Sequence, residues 1–336
     1  MKFDIITFGS ATRDIFLRSD DFLVVGQKKF VTGKGLCLSL GSKIDIDEIH
    51  FLTGGGGTNT AAGFSNQGFK TAFCGMVGEE AAGEEIIKEL KSFKVNTDFI
   101  LKTRKKPTNY SVILSSGIRE RTILTYRGAS GELTDKDIPW LKLDSKWIYL
   151  APLSGEMSNL SEKIVNFAKR KGIKVAMNPG SSQLSLPKET LGRILRKVDV
   201  LLLNQEEAAI LTKIPYENEI GIFKKLDEMV HGICVMTKGP KGAVASDGES
   251  LYSADILKVK AFDWTGAGDS FASGFLSGFI RFKGSIEGAM QLGIANSASC
   301  LTELGAKKGL LKKNDKWKRV KVLKESCLLT GKCKRK

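Results

Sequence analysis

Two spacings of hydrophobic residues alternate along the chain. Short β-rich runs such as Ile5-Ile6-Thr7-Phe8, Trp147-Ile148-Tyr149-Leu150, residues 173–177 and residues 198–203 read as strands, several of them buried on both faces. Between them, apolar residues recur every three or four positions. Residues 82–93, with Ile86, Ile87 and Leu90 on one face, read as a helix, as do 158–171, 189–197, 204–211 and 217–230. Residues 285–304 form a longer helical pattern closed by Gly305, and 242–246 with 251–253 read as an antiparallel edge. Repeated strand–helix units of this length build a parallel sheet covered on both sides. The expected class is therefore α/β, a three-layer sandwich around a mostly parallel central sheet.

Two regions break this rhythm. Residues 22–51 carry short alternating runs separated by glycines, and 109–114 with 121–126 flank a Ser115-Ser116-Gly117 turn as a hairpin. Alternation marks strands with one wet face, so these pieces (about 13–53 and 107–127) predict a small β-sheet lid beside the main body.

Composition narrows the class without naming a partner. The chain has 336 residues, which suits one large domain. No apolar run approaches the ~20 residues of a membrane span, no leader is evident, and the reading is of a cytoplasmic protein. Its six cysteines contain no Cys-x-x-Cys pair, so neither a zinc site nor a disulfide framework is signalled. The net charge of +15 is concentrated: residues 312–336 hold eleven Lys or Arg against Asp315 and Glu325, and so supply +9 of it. One large domain over 1–311 and a basic, poorly ordered tail over 312–336 are expected. Without an aromatic-basic recognition motif, nucleic acid is not read as the main partner.

Chemistry concentrates at junctions where a strand gives way to a helix. Asp263-Trp264-Thr265-Gly266-Ala267-Gly268-Asp269 precedes a helical run, and glycines there leave N–H groups free at the helix's positive end, a seat for phosphate. A carboxylate in that place repels phosphate, so Asp269 reads as a base that takes a proton from an attacking hydroxyl. Taken alone, a helix cap and a turn explain the same residues. Asp14 follows the first strand, where open α/β sheets collect ligands, though a surface turn also accounts for it. Gly54-Gly55-Gly56-Gly57-Thr58-Asn59 lets backbone lie against a ligand and offers the Asn59 amide to a polyol. Asn204 and Glu207 share a helix face suited to ordering water around magnesium and phosphate. Thr237-Lys238-Gly239-Pro240-Lys241-Gly242 follows a strand with glycines that permit close nucleotide approach.

In this order, Asp14, Gly-Gly-x-Gly-x-Asn, hairpin, Asn-x-x-Glu, Thr-x-Gly and Asp-x-Thr-Gly-Ala-Gly-Asp, the motifs resemble those of the ribokinase-like sugar kinases, the phosphofructokinase-B family, from about residue 3 to 310. No Gly-x-x-x-x-Gly-Lys-Ser/Thr is present, so a P-loop does not hold the phosphate. The resemblance implies the ribokinase-like sandwich with its lid, and ATP-dependent phosphorylation of a hydroxyl on a sugar or sugar derivative. It implies Asp269 as base, the N–H groups of Gly266, Ala267 and Gly268 as anion hole, and Asp14, Gly55, Gly56 and Asn59 around the acceptor. Asn204 and Glu207 would arrange Mg²⁺ and its waters; Thr237, Lys238, Gly239 and Gly242 would line the nucleotide, with Asn296 near the adenine. Asp263 and Thr265 match a monovalent cation site, K⁺ in many relatives, and lids of this family often pair into homodimers.

The chain also departs from the pattern. Gly56 stands where ribokinases commonly carry Lys, which argues against a simple ribokinase, and the first lid segment is long. Arg127 in Thr125-Tyr126-Arg127-Gly128 resembles an arginine that binds the carboxylate of keto-deoxy sugar acids in some relatives, and equally suits a lid surface. An adenosine-type nucleoside kinase is the alternative; it would need an aromatic shelf, for which Phe22, Phe30 and Phe51 are candidates. A sugar- or nucleic-acid-binding protein without catalysis is the reading from another class.

Overall fold

The computed structural model describes residues 2–27, 30, 33–116 and 121–326. Among the described residues, ten strands form the main sheet, in the order Val322–Ser326, Ser250–Ala254, Ala243–Ser246, Ile233–Thr237, Val200–Asn204, Lys174–Met177, Ser145–Leu150, Phe3–Phe8, Thr71–Gly78 and Asn96–Thr103. The seven strands from Ile233–Thr237 to Asn96–Thr103 pair in parallel, and the first three form an antiparallel edge. Side-chain alternation then makes the layers. Ile6, Phe8, Ile148, Leu150, Val175, Met177, Leu201 and Leu203 pack against helices Ser161–Arg170, Lys188–Leu195 and Glu219–Met229. Their strand neighbours Ile5, Trp147, Tyr149, Ala176, Val200 and Leu202 face Phe64, Phe271, Phe275 and Met290 from helices on the other side. Fully buried rings such as Phe8, Phe64, Phe223 and Phe275 each contribute roughly 1.5–3 kcal/mol relative to exposure.

Helices Ala267–Arg281 and Ile286–Cys300 lie close because their contact residues are small. A methyl group added at Gly274 would come within 2.9 Å of Asn296, and one at Gly278 within 2.8 Å of Ala289. The second helix is shorter than its hydrophobic pattern: it stops at Cys300, and turns continue to the positive-φ Gly305.

The separate small sheet is present, in the order Glu48–Gly54, Thr12–Arg18, Asn109–Ser115 and Arg121–Tyr126. Asp14 sits within one of its strands, opposite Leu52 and Ser111, rather than in a loop after the first strand. A further hairpin, Leu23–Gly26 with Lys34–Cys37, accounts for part of the long first segment. The basic tail is partly built into the body. Val322–Ser326 pairs antiparallel with Ser250–Ala254, and Lys324 lies 5.1 Å from the Tyr252 ring. Charge density hid Val320 and Val322, which pack against the core and dock it; the rest of the expected tail, 327–336, lies outside the described residues. Among the described residues, no helix is long and apolar enough to cross a membrane.

Candidate active site

The carboxyl ends of the parallel strands share one edge, and the small sheet stands over it. Gly55 enters helix Gly56–Asn66 at φ 97°, a conformation costly for other residues, and an added methyl would sit 2.4 Å from the Ser10 carbonyl. That close approach turns Asn59 toward helix Ala267–Arg281. There its Nδ2 donates to Asp269 Oδ2 at 2.8 Å, which brings together the glycine motif and the acidic motif across 210 residues of sequence. Asn59 Oδ1 is buried with no partner, an acceptor left for a ligand hydroxyl. A side chain starting at Gly56 would lie 3.4 Å from Asp269 Oδ1, so a glycine here leaves the carboxylate uncovered.

Gly266 caps the helix at φ 78°, and an added methyl would overlap Ala306 at 2.3 Å. An added methyl on Gly268, by contrast, would meet nothing within 4 Å. The helix start is therefore open where the anion hole is expected, with the first-turn N–H groups lacking intrahelical partners. Burial pushes the Asp269 carboxyl above the usual range, while Asn59 and the Lys307 ammonium pull it back.

Asp14 completes this group. It is 6% exposed, and burial raises its pKa to about 6 against the opposing pull of Lys307 and a hydrogen bond with Ser111. Lys307 itself is a residue that motif reading misses. It is 4% exposed, donates to the Thr53 carbonyl at 2.8 Å and Thr53 Oγ1 at 2.6 Å, and pairs with Glu89 at 3.1 Å. Burial lowers its pKa, and Glu89, Asp14 and Asp269 oppose that fall. In sequence, Lys307-Lys308 after a helix looks like solvent-facing charge; only the turn after Gly305 carries it inward.

The expected nucleotide side is also assembled, with one exception. Asn204 and Thr237 are register partners at the ends of adjacent strands. Asn204 and Glu207 form a reciprocal capping box, in which each side chain accepts from the other's backbone N–H at 2.8 Å. Burial raises the Glu207 pKa. Gly239 is open, Lys238 pairs with Glu219 at 2.7 Å, and Gly242 lies so close to the Ala254 carbonyl that an added methyl would be 2.0 Å away. Asn296 is the exception. Wholly buried, it donates to the Ser270 carbonyl at 2.6 Å and accepts from the Leu311 N–H at 2.8 Å, so its amide pins the helix pair and has nothing to offer an adenine.

Arg127 lines a neighbouring cleft of about 210 Å³ with Ser10, Tyr110, Pro152, Gly180 and Ser181. The three phenylalanines named as candidates for a nucleoside shelf do not gather, although Tyr110 and Tyr126 both line this cleft. Phe22 is buried, Phe30 packs on Gly35, and Phe51 pairs with Ile15 on the opposite face of the lid from Asp14. Asp263 and Thr265 lie just before the start of helix Ala267–Arg281, where Asp263 Oδ1 accepts from the Thr265 N–H at 2.9 Å and Asp263 Oδ2 from the Gly305 N–H at 2.9 Å. Arg121 of the lid also reaches Asp263, at 2.7 Å.

A family model described as pfkB family carbohydrate kinase matches residues 5–313. A ribokinase of Staphylococcus aureus (strain COL) is 26% identical over 269 residues, covering 78% of this chain and 86% of that protein. A nucleoside kinase of Methanothermobacter thermautotrophicus is 26% identical over 242 residues, covering 70% of this chain and 74% of the relative. The Arabidopsis thaliana ribokinase structure complexed with ribose and ATP superposes with a TM-score of 0.75 at 22% identity, covering 93% of this chain and 97% of that one.

Proposed function

The chain belongs to the pfkB family of carbohydrate kinases, and from that premise we propose that it transfers the γ-phosphoryl group of ATP to a hydroxyl of a small sugar or sugar derivative. One observation carries the reading: the Asn59–Asp269 contact sets a half-buried carboxylate beside an open helix start. The acceptor's hydroxyls bind Asp14, the unpartnered Asn59 Oδ1 and the backbone at Gly55 and Gly56. As the acceptor oxygen bonds to the γ-phosphorus, Asp269 takes its proton, and the bond from that phosphorus to the bridging oxygen breaks to release ADP. The N–H groups at Gly266, Ala267 and Gly268 receive the charge that develops on the transferred group.

Among the described residues, no three His, Cys, Asp or Glu side chains gather as a metal site. Glu207, with one oxygen on the Asn204 N–H, suits an indirect hold on Mg²⁺ through water. Bound there with the phosphates, Mg²⁺ would neutralise charge on the β- and γ-oxygens. Thr237, Lys238 and Gly239 would lie along the nucleotide, and an ATP-consuming reaction supports a cytoplasmic setting.

Arg127 in the adjoining cleft supports an acceptor with a carboxylate or phosphate group. An ATP-consumption screen over pentoses, hexoses, sugar phosphates, keto-deoxy acids and nucleosides tests the assignment. At least one sugar-class acceptor should drive ADP release, and acidic ones should lose the most with Arg127→Ala. If every acceptor leaves ATP intact, the kinase reading fails.

The lid's outer row, Phe51, Ile15, Val112 and Leu124 in register across four strands, leaves Phe51 53% and Leu124 54% exposed. This apolar face supports a homodimer through the lid. Sedimentation should give a dimer at micromolar protein that Phe51→Glu dissociates; a wild-type monomer would remove this interface.

A further inference from the structure

Asp263 has the chemistry of a cation ligand, yet its carboxylate is already paired with an arginine. Its Oδ1 accepts from the Thr265 N–H at 2.9 Å, the Thr265 hydroxyl at 2.8 Å and Arg121 Nη1 at 2.7 Å, while Oδ2 takes the Gly305 N–H at 2.9 Å. Arg121 Nη1 also donates to Thr265 Oγ1 at 2.9 Å, so the hydroxyl accepts from the guanidinium and donates to the carboxylate. The Asp263 side chain is 7% exposed and that of Arg121 27%, so this is a largely desolvated pair with charge matched one to one. A monovalent cation does not fit beside a carboxylate whose charge is already matched by a guanidinium and whose Oδ1 is surrounded by three donors.

Where the guanidinium comes from matters as much as where it ends. Arg121 opens the Arg121–Tyr126 strand and pairs with Ser115 in the hairpin whose other strand carries Ser111, the partner of Asp14. The loop it grips leads through Gly266 into the anion-hole helix. One small sheet thus both presents the acceptor ligand Asp14 and fastens the phosphate-binding loop.

We infer that the Arg121 guanidinium is the built-in cation of this site, a positioning residue that takes the place of a bound monovalent ion and ties the lid to the anion-hole loop. This rests on the kinase reading only for its purpose; the site itself is defined by Asp263, Thr265 and Gly305. Without Arg121, Asp263 is a buried charge with no counter-ion, and a small cation from solution can then stabilise the fold by mass action.

Thermal unfolding at fixed ionic strength in KCl, NaCl or tetramethylammonium chloride tests this without any phosphoryl transfer. The wild-type melting temperature should be the same in all three salts. Arg121→Ala should melt roughly 2–6 °C lower in tetramethylammonium chloride and recover progressively with added KCl, whereas Arg121→Lys should remain insensitive to the cation. A K⁺-dependent rise in the wild type, or an Arg121→Ala protein that melts like wild type and ignores K⁺, would overturn the inference. A folded, K⁺-responsive Arg121→Ala enzyme that phosphorylates no acceptor would leave it standing while removing the kinase reading.

Discussion

Asp269→Asn should lower the rate of phosphoryl transfer by roughly 10²–10⁴-fold while the protein stays folded. Asparagine keeps the size of the side chain and can still accept from Asn59 Nδ2 through its amide oxygen, now 2.8 Å from Asp269 Oδ2. What it cannot do is take a proton. The open N–H groups at Gly268 and the acceptor contacts remain, so residual turnover and nearly unchanged nucleotide binding are expected. Stability should hold or rise, because burial opposes the charge on Asp269 and the amide carries none. Initial rates on the best acceptor, with thermal melts of both proteins, decide the matter. A variant retaining more than about a tenth of wild-type turnover would take the base role away from Asp269.

The pH dependence should follow from the same burial. With its pKa above the ordinary carboxylate range, Asp269 is a working base only once ionised, so turnover should fall as pH drops into that raised range. Lys307 and Asn59 limit how far the fall extends toward neutrality, since both favour the charged form.

The parts of this site differ in how far they could be read from the chain alone. Asp269, the glycines beside it, Asn59 and the Asn204–Glu207 pair were legible because each lies where a strand pattern gives way to a helix pattern, and backbone geometry ties such junctions to one sheet edge. The two-sided strands were equally legible, since period-2 burial on both faces produces continuous apolar runs such as Leu201-Leu202-Leu203. Lys307 and Arg121 were not. A buried ammonium and a desolvated guanidinium depend on partners 218 and 142 residues away in sequence, Glu89 and Asp263, and no local pattern separates them from surface lysines and arginines. Asn296 failed in the opposite direction: an amide on a helix near the motif looked available, and the close approach of two small-residue helices consumed it. Charge density hid the Val322–Ser326 strand because a basic composition masks its alternation.

Asp14→Asn should make the protein more stable at neutral pH and a poorer enzyme. In the folded state Asp14 has its pKa raised to about 6, against an ordinary value of 3.8, with burial as the dominant cause. The folded protein therefore binds the Asp14 proton more tightly than the unfolded chain does. Stability from this group is fully present below pH 3.8, is lost as pH rises, and is gone above about 6. The raised value corresponds to about 3 kcal/mol at neutral pH, an upper figure that Asn can regain only in part, because it forfeits the attraction to Lys307. At pH 7.5 the variant should melt several degrees higher than wild type, with the gap closing as pH falls toward 4. Meanwhile KM for the acceptor should rise by about tenfold or more, since a charged hydrogen-bond acceptor has been exchanged for a neutral amide. Parallel melts from pH 4 to 8 with acceptor titrations separate the two effects. A variant that melts lower than wild type at pH 7.5 would mean that the Lys307 and Ser111 contacts outweigh desolvation, and a KM equal to wild type would take Asp14 out of acceptor binding. The cost of keeping a carboxylate dry beneath the lid is one that acceptor hydroxyls can offset on binding, so the stability that Asp14 withholds from the empty fold is available to grip the substrate.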